Sequence, residues 1–318
     1  MRPFSPFFKN PHLATIAGNF WQRPVSELRW PAASVLYQTE PDIQVLVRQQ
    51  LPPDARGEVI LIHGLEGSSE SGYARSMAYG ALERGFGVHR FNMRGCGGTE
   101  SLAVMSYHAG QTSDLLHVVR ERRRLSGKPV WVVGYSLGAN VTLKLAGELA
   151  EEAIGLLAGV AAVSAPIDLA SCAHALNRPS NLIYRNRFVD RLKERIRRKN
   201  LLSPDVYTLE HLPKVKSIVD FDDYYTSRLF GFGTAANYFA TQSSNQFLER
   251  IRIPALLLIA KDDPMVPFHV YDHPAFGRNP LLRLLPVEHG GHLGFISRTQ
   301  PRFWLDHTIL DWMEQPHP

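Results

Sequence analysis

The sequence predicts an α/β protein: a mostly parallel eight-stranded sheet with helices on both faces and a helical cap inserted after the sixth strand. Three observations carry this. Short apolar runs at 59–62, 88–91, 130–133, 160–163 and 255–259 have the length and β-branched content of buried strands. Stretches with helical spacing separate the first four, and strand–helix alternation is the pattern of a parallel sheet. The alternation then stops near residue 168 and resumes only at 254.

Taken in order, 35–38 and 43–48 read as an antiparallel hairpin that opens the sheet. Helices follow at 73–84, 113–125 and 137–149; in the last, Val141, Leu145 and Leu149 share one face at i, i+4, i+8. The most apolar stretch, 156–163, reads as a buried strand. From 168 to 249 the chain is rich in aromatics and charges, and so long a loop without structure would be unusual in a compact domain. It is expected to form the helical cap, with Phe188, Tyr224, Tyr225, Phe230, Phe232, Tyr238 and Phe239 lining an apolar pocket or packing the cap onto the core. A strand at 281–285 and an amphipathic helix at 301–313 complete the chain. A length of 318 residues suggests two domains; the pattern suggests instead one domain over 1–318, with 168–249 inserted in it.

Composition narrows the function classes. With 44% hydrophobic and 20% charged residues, the chain is not disordered. A net charge of +5 over this length is mild, so nucleic acid is not an expected partner. Two cysteines, Cys96 and Cys172, cannot build a disulfide framework and suit a reducing, cytoplasmic compartment. Pro and polar residues interrupt the N-terminal segment, which does not read as a signal peptide. No apolar run reaches spanning length.

The chemistry centres on Gly134-Tyr135-Ser136-Leu137-Gly138, placed between a strand and a helix. On such a turn a serine is held strained with its Oγ above the sheet, and the flanking glycines allow strand and helix to approach closely. Serine needs an imidazole to take its proton, and the imidazole needs a carboxylate to set its tautomer. The α/β-hydrolase arrangement puts these in the order serine, acid, histidine. Asp262-Asp263-Pro264 follows the 255–259 strand, and Glu288-His289-Gly290-Gly291-His292 follows the 281–285 strand. The reading favours Asp263 over Asp262, because it stands directly before the turn-forming Pro264. It favours His292 over His289, because two glycines precede it. Asp168 is a reserve acid that reads better as a helix cap. His63-Gly64-Leu65, at the end of an early strand, offers a second oxyanion donor; the candidates are the backbone N–H groups of Leu65 and Leu137. His63 reads as structural and no metal site is expected. Gly95-Cys96-Gly97-Gly98 reads as a tight turn with a buried thiol. The basic run at 185–200, with Arg191, Lys193, Arg195, Arg197, Arg198 and Lys199, reads as a solvated helix face. Its functional reading is peripheral contact with anionic lipid or acidic substrates.

Across nearly its whole length the chain resembles the YheT-like branch of the α/β-hydrolase-fold hydrolases (AB hydrolase superfamily 4). The matching motifs are Asn10-Pro11-His12-Leu13, His63-Gly64-Leu65-Glu66-Gly67-Ser68, Arg94-Gly95-Cys96-Gly97-Gly98, Gly134-Tyr135-Ser136-Leu137-Gly138-Ala139-Asn140, Asp262-Asp263-Pro264 and His289-Gly290-Gly291-His292-Leu293-Gly294-Phe295. The resemblance implies a serine esterase acting on short- to medium-chain acyl esters or glycerolipid-type esters, without a cofactor, through Ser136, Asp263 and His292. Acyl transfer to an alcohol is the rival enzyme reading, and a non-catalytic ligand receptor the rival from another class. No obligate protein partner is evident.

Overall fold

The computed structural model describes residues 3–25 and 28–317. Eight strands form one sheet: β1 (Ala33–Glu40), β2 (Ile43–Gln50), β3 (Glu58–Ile62), β4 (Gly87–Phe91), β5 (Val130–Tyr135), β6 (Gly159–Val163), β7 (Ala255–Ala260) and β8 (Leu282–Val287). Their spatial order is β1-β2-β4-β3-β5-β6-β7-β8. The β1–β2 and β2–β4 pairings are antiparallel, and the remainder are parallel. The 156–163 run divides: Ala153–Leu156 is a helical turn, and the strand starts only at Gly159.

Alternation along the central strands builds two apolar layers. Ile60, Ile62, Val132, Ala162 and Leu257 face one side. There they meet α3 (Ser113–Ser126) and α4 (Leu137–Leu149), counted after α1 (Pro11–Phe20) and α2 (Gly72–Glu83). Val59, Leu61, Val133, Ala161 and Leu256 face the other side, against α2 and the last helix. That helix is Trp304–Met313, shorter at its start than the 301–313 expected.

Between β6 and β7 the chain forms α5 (Leu169–Leu176), α6 (Leu182–Leu202), a turn at Ile218–Phe221, a π turn at Asp222–Thr226 and α7 (Ala235–Gln242); Trp304–Met313 is therefore α8. Asp168 caps α5, accepting from the Ser171 N–H at 3.0 Å. These helices share their own apolar core, which includes Leu192, Ile196, Phe221 and Tyr238 and packs against Leu65 and Leu137.

The basic run is not the uniformly solvated face that was expected. Arg195 and Lys199 are buried on the same stripe of α6 as Leu192 and Ile196. Positions four apart share a helix face, so these two cations point inward with the apolar residues. Lys199 donates to the carbonyls of Glu100 at 2.7 Å, Val104 at 3.1 Å and Ala103, fastening α6 to that loop. Burial, with Arg195 nearby, pulls its ammonium down to about 8. Arg197 and Arg198 remain exposed.

Backbones pack very closely where β3, β5 and α4 meet. A Cβ on Gly138 would stand 2.4 Å from the His63 carbonyl oxygen, and one on Gly134 2.4 Å from the Gly138 oxygen. Backbone cannot yield there as a flexible side chain would. Gly138→Ala is therefore expected to cost about 1–3 kcal/mol, read as a lower urea midpoint with an unchanged slope.

Candidate active site

Ser136 sits at the β5–α4 junction with φ 52° and ψ −121°. A non-glycine residue at positive φ is strained and persists only where its surroundings hold it. Here the Ser136 N–H donates to the Val163 carbonyl at 2.8 Å, and its own carbonyl starts the helix by accepting from Ala139 at 2.8 Å. The backbone is thus pinned from β6 and from α4, and the side chain is left free for other contacts.

Those contacts form a line. Ser136 Oγ lies 2.9 Å from His292 Nε2, and His292 Nδ1 lies 2.8 Å from Asp263 Oδ2. A carboxylate only accepts, so Nδ1 carries the proton and Nε2 is left to accept from the serine. The other Asp263 oxygen accepts the N–H groups of Met265 and Val266 at 2.9 and 3.0 Å. Asp263 is therefore oriented by the turn after Pro264, and its side chain is fully buried.

The neighbouring carboxylate does different work. Asp262 accepts from the Gly290 and Gly291 N–H groups at 3.0 and 2.9 Å and approaches His289 Nδ1 at 3.1 Å. It ties down the loop that carries His292. The two adjacent aspartates point opposite ways, one to the imidazole and one to the loop.

Sequence reasoning missed the third brace of that loop, which is α1. Asn10 caps this helix by accepting from the His12 and Leu13 N–H groups, each at 3.0 Å, with Pro11 in its first turn. The helix lies so close that a Cβ on Gly294 would stand 2.1 Å from the Ala14 oxygen. From it, buried Thr15 accepts the His292 N–H at 2.8 Å and donates to the Pro11 carbonyl at 2.7 Å. The visible signals were the Asn-Pro cap at one end of the chain and the glycine-rich histidine loop at the other; nothing in the sequence linked them.

Leu65 and Leu137 face the same site. A Cβ on Gly64 would stand 3.0 Å from Ser136 Cβ, so the 64–65 backbone runs directly past the serine. The flanking amides are occupied: Gly64 donates to Tyr73 Oη and Glu66 to Tyr107 Oη, both at 2.9 Å. The N–H groups of Leu65 and Leu137 make no hydrogen bond among the described residues. His63 holds this loop, with Nδ1 donating to the Gly64 carbonyl at 2.8 Å and Nε2 accepting from Met93 at 3.2 Å. Burial lowers it to about 4, keeping it neutral. Among the described residues no cluster of three or more His, Cys, Asp or Glu is placed to hold a metal ion.

Ser136 and His292 open onto a largely apolar cavity beneath the inserted helices. Phe188, Tyr238 and Phe239 of the seven aromatics singled out above line it, as does Phe221. The other four pack elsewhere: Tyr224 stacks on His211, with Tyr225 edge-on to the same ring, and Phe230 and Phe232 flank His108. Cys172 also lines the cavity, but burial holds its thiol well above its usual range. The Cys96 thiol is buried and raised in the same way. Thr15→Val is expected to destabilise the protein by about 1–3 kcal/mol, the penalty for a buried N–H left without an acceptor. Thr15→Ser should restore the loss, and urea unfolding of both variants checks it.

Residues 58–299 match the family model described as alpha/beta hydrolase fold. The chain is 33% identical over 314 residues to "Putative esterase YheT" of Escherichia coli (strain K12), an alignment covering 96% of this chain and 91% of that one. It is 29% identical over 249 residues to phospholipase ABHD3 of Mus musculus, covering 78% of this chain. It is also 29% identical over 275 residues to a monoacylglycerol lipase of Saccharomyces cerevisiae, covering 83% of this chain. The alignments span 60% of each of these two longer relatives. Among solved structures, the Pyrococcus furiosus esterase Pf2001 superposes with a TM-score of 0.62 at 17% identity, covering 92% of this chain and 96% of that one, a likeness of fold. With the sheet order, the insertion and the serine turn already described, these matches make the chain a member of the α/β-hydrolase fold family and a hydrolase of its esterase and lipase type.

Proposed function

We propose that the protein hydrolyses carboxylic esters, of short- to medium-chain acyl groups or of glycerolipid type, through an acyl-enzyme formed on Ser136. The observation that carries this reading is the hydrogen-bonded line Ser136–His292–Asp263 at the mouth of a largely apolar cavity. In the first half-reaction Ser136 Oγ attacks the ester carbonyl carbon while His292 Nε2 takes its proton. Asp263 stabilises the imidazolium through Nδ1–H. The carbonyl oxygen becomes an oxyanion between the Leu65 and Leu137 amides; each such donor contributes about 3–4 kcal/mol in the transition state. The C–O bond to the alcohol then breaks, and His292 returns the proton to the leaving oxygen. In the second half-reaction water, deprotonated by His292, attacks the acyl carbon; the bond to Ser136 Oγ breaks, His292 returns the proton to Oγ, and the acid leaves. An alcohol in place of that water would give acyl transfer by the same steps. A receptor role is disfavoured, because a binding protein has no use for a strained serine aligned on an oriented imidazole.

The same proposal places the protein in the cytoplasm, supported by two buried, unpaired cysteines. No described helix is long and apolar enough to cross a membrane. It also places the inserted helices against anionic membrane. Leu201 is 84% and Ile183 75% exposed on α6, on the helix that carries Arg197 and Arg198. Apolar side chains beside cations suit a negatively charged bilayer surface.

A fluorophosphonate probe should label the protein at Ser136, and Ser136→Ala should remove the label; a mutant that still labels would place the nucleophile elsewhere. Asp263→Asn should lower kcat on p-nitrophenyl butyrate by a factor on the order of 10⁴, whereas Asp262→Asn, which loosens only the loop, should act far more weakly. In sedimentation with vesicles, binding is expected to phosphatidylglycerol but not phosphatidylcholine, to fade with salt and to weaken in Leu201→Asp.

A further inference from the structure

Gly64, Leu65, Glu66 and Gly67 form a tight turn beside Ser136. The Gly67 N–H donates to the Gly64 carbonyl at 3.0 Å. Glu66, third in the turn, has φ 54°, whereas Leu65 is not at positive φ. This is the pattern of a type II turn, whose third position favours glycine or asparagine. A peptide unit is planar and trans, so the Leu65 N–H points opposite to the Gly64 carbonyl. Two donors fix that carbonyl, the Gly67 N–H at 3.0 Å and His63 Nδ1 at 2.8 Å. The direction of the Leu65 N–H therefore depends on this turn staying closed.

Glutamate is a poor residue for the third position, and its side chain accounts for its presence. Tyr107 Oη accepts the Glu66 N–H at 2.9 Å and donates to Glu66 Oε1 at 3.0 Å, so one phenol holds both the backbone and the carboxylate of the same residue. Arg195 Nη1 lies 2.6 Å from that Oε1, and its guanidinium lies 4.7 Å over the Tyr107 ring. Tyr107 and Arg195 are both buried. The bland explanation is that the ion pair steadies the fold. A buried ion pair is a weak source of stability, because desolvating the charges offsets their attraction. A glycine at 66 would also close the turn without strain. The charged clamp is better explained as a means of holding one conformation.

We propose that Tyr107 and Arg195, acting through Glu66, are positioning residues for the Leu65 amide: they hold the turn in the conformation that presents this N–H beside Ser136. This rests on the reading of Ser136 as nucleophile and of Leu65 as oxyanion donor. The Gly64 N–H is taken by Tyr73 and the Glu66 N–H by Tyr107, so of three successive amides only the middle one is left for a substrate. An oxyanion exists only after attack on the carbonyl. The clamp therefore acts on the transition state and leaves ground-state binding of the ester untouched.

The test separates transition-state from ground-state binding. On p-nitrophenyl butyrate, Tyr107→Phe should lower kcat about tenfold with KM unchanged, where loss of a whole oxyanion donor is worth roughly 10²–10³. Rates are taken per active site titrated with fluorophosphonate, so a loss of folded protein alone does not move them. The inhibition constant of an alkyl trifluoromethyl ketone should rise by the same factor. Its carbonyl carbon bonds to Ser136 Oγ while His292 takes the serine proton, and its oxygen becomes an oxyanion at the same amides. Should Tyr107→Phe fail to fold, Glu66→Gly combined with Arg195→Met carries the test, because it removes both charges together and leaves the turn unstrained. Glu66→Gln, which keeps an acceptor for Tyr107 and Arg195, should recover most of the loss seen in that double variant. A loss that falls on KM, or a kcat that falls without the matching rise in the inhibition constant, overturns the positioning role alone, as do variants that match the wild type in both. Wild-type protein that turns over no ester and takes no fluorophosphonate overturns it together with the catalytic reading.

Discussion

The arrangement of the whole site follows from one strained residue. Ser136 is held at positive φ, and such strain of about 1–3 kcal/mol persists only where neighbours over-determine the backbone. The neighbours here are β6, through the Val163 carbonyl, and α4, through its first turn. Gly134 and Gly138 let β3, β5 and α4 close to distances that no Cβ would permit. That closeness has a chemical consequence. The backbone after β3 passes directly by the serine, so Leu65 and the first turn of α4 flank it in one pocket. On the mechanism proposed for Ser136, a looser junction would separate the nucleophile from the amides assigned to stabilise its product.

The histidine is positioned from the opposite direction, by parts of the chain far apart in sequence. Asp263 sets the proton on Nδ1, Asp262 holds the two glycine amides before His292, and Thr15 accepts the histidine's own N–H. Each bond constrains a different atom of the loop, and none is redundant. An imidazole displaced by an ångström from Ser136 would lose most of the benefit of its basicity. Helix α1, outside the sheet, therefore acts as part of the site's frame.

Much of this was legible in the sequence, for identifiable reasons. Buried parallel strands are apolar on both faces and short, so β3 to β7 stood out, and the elbow glycines marked the serine. Glycines also marked the histidine loop. Of the two aspartates, the one favoured for standing directly before Pro264, Asp263, is the one placed against His292, and the turn after Pro264 supplies amides to its other oxygen. What was not legible depended on contacts between distant segments. Thr15 looks like any helical threonine until α1 is docked. Arg195 and Lys199 look like part of a charged surface run, because composition carries no direction. Only their spacing from Leu192 and Ile196 places them inward, and only the packing of α6 turns that spacing into burial.

The inserted helices have a role beyond enclosing the cavity. Arg191 donates to the Glu66 carbonyl at 3.2 Å, and Arg195 pairs with the Glu66 side chain. Tyr107 receives the Glu66 N–H and donates to the same carboxylate at 3.0 Å. Glu66 itself sits at φ 54° and follows Leu65 directly. The loop that presents the Leu65 amide is therefore clamped from α6, the same helix whose outer face exposes Leu201 and the arginines. A shift of α6 along its axis would move Arg191 and Arg195 together and slacken the Glu66 turn, while the serine–histidine–aspartate line, anchored in the sheet and α1, stayed in place. The Glu66 turn and α6 are in this way tied to each other, whereas the Ser136–His292–Asp263 line is held by the sheet and α1.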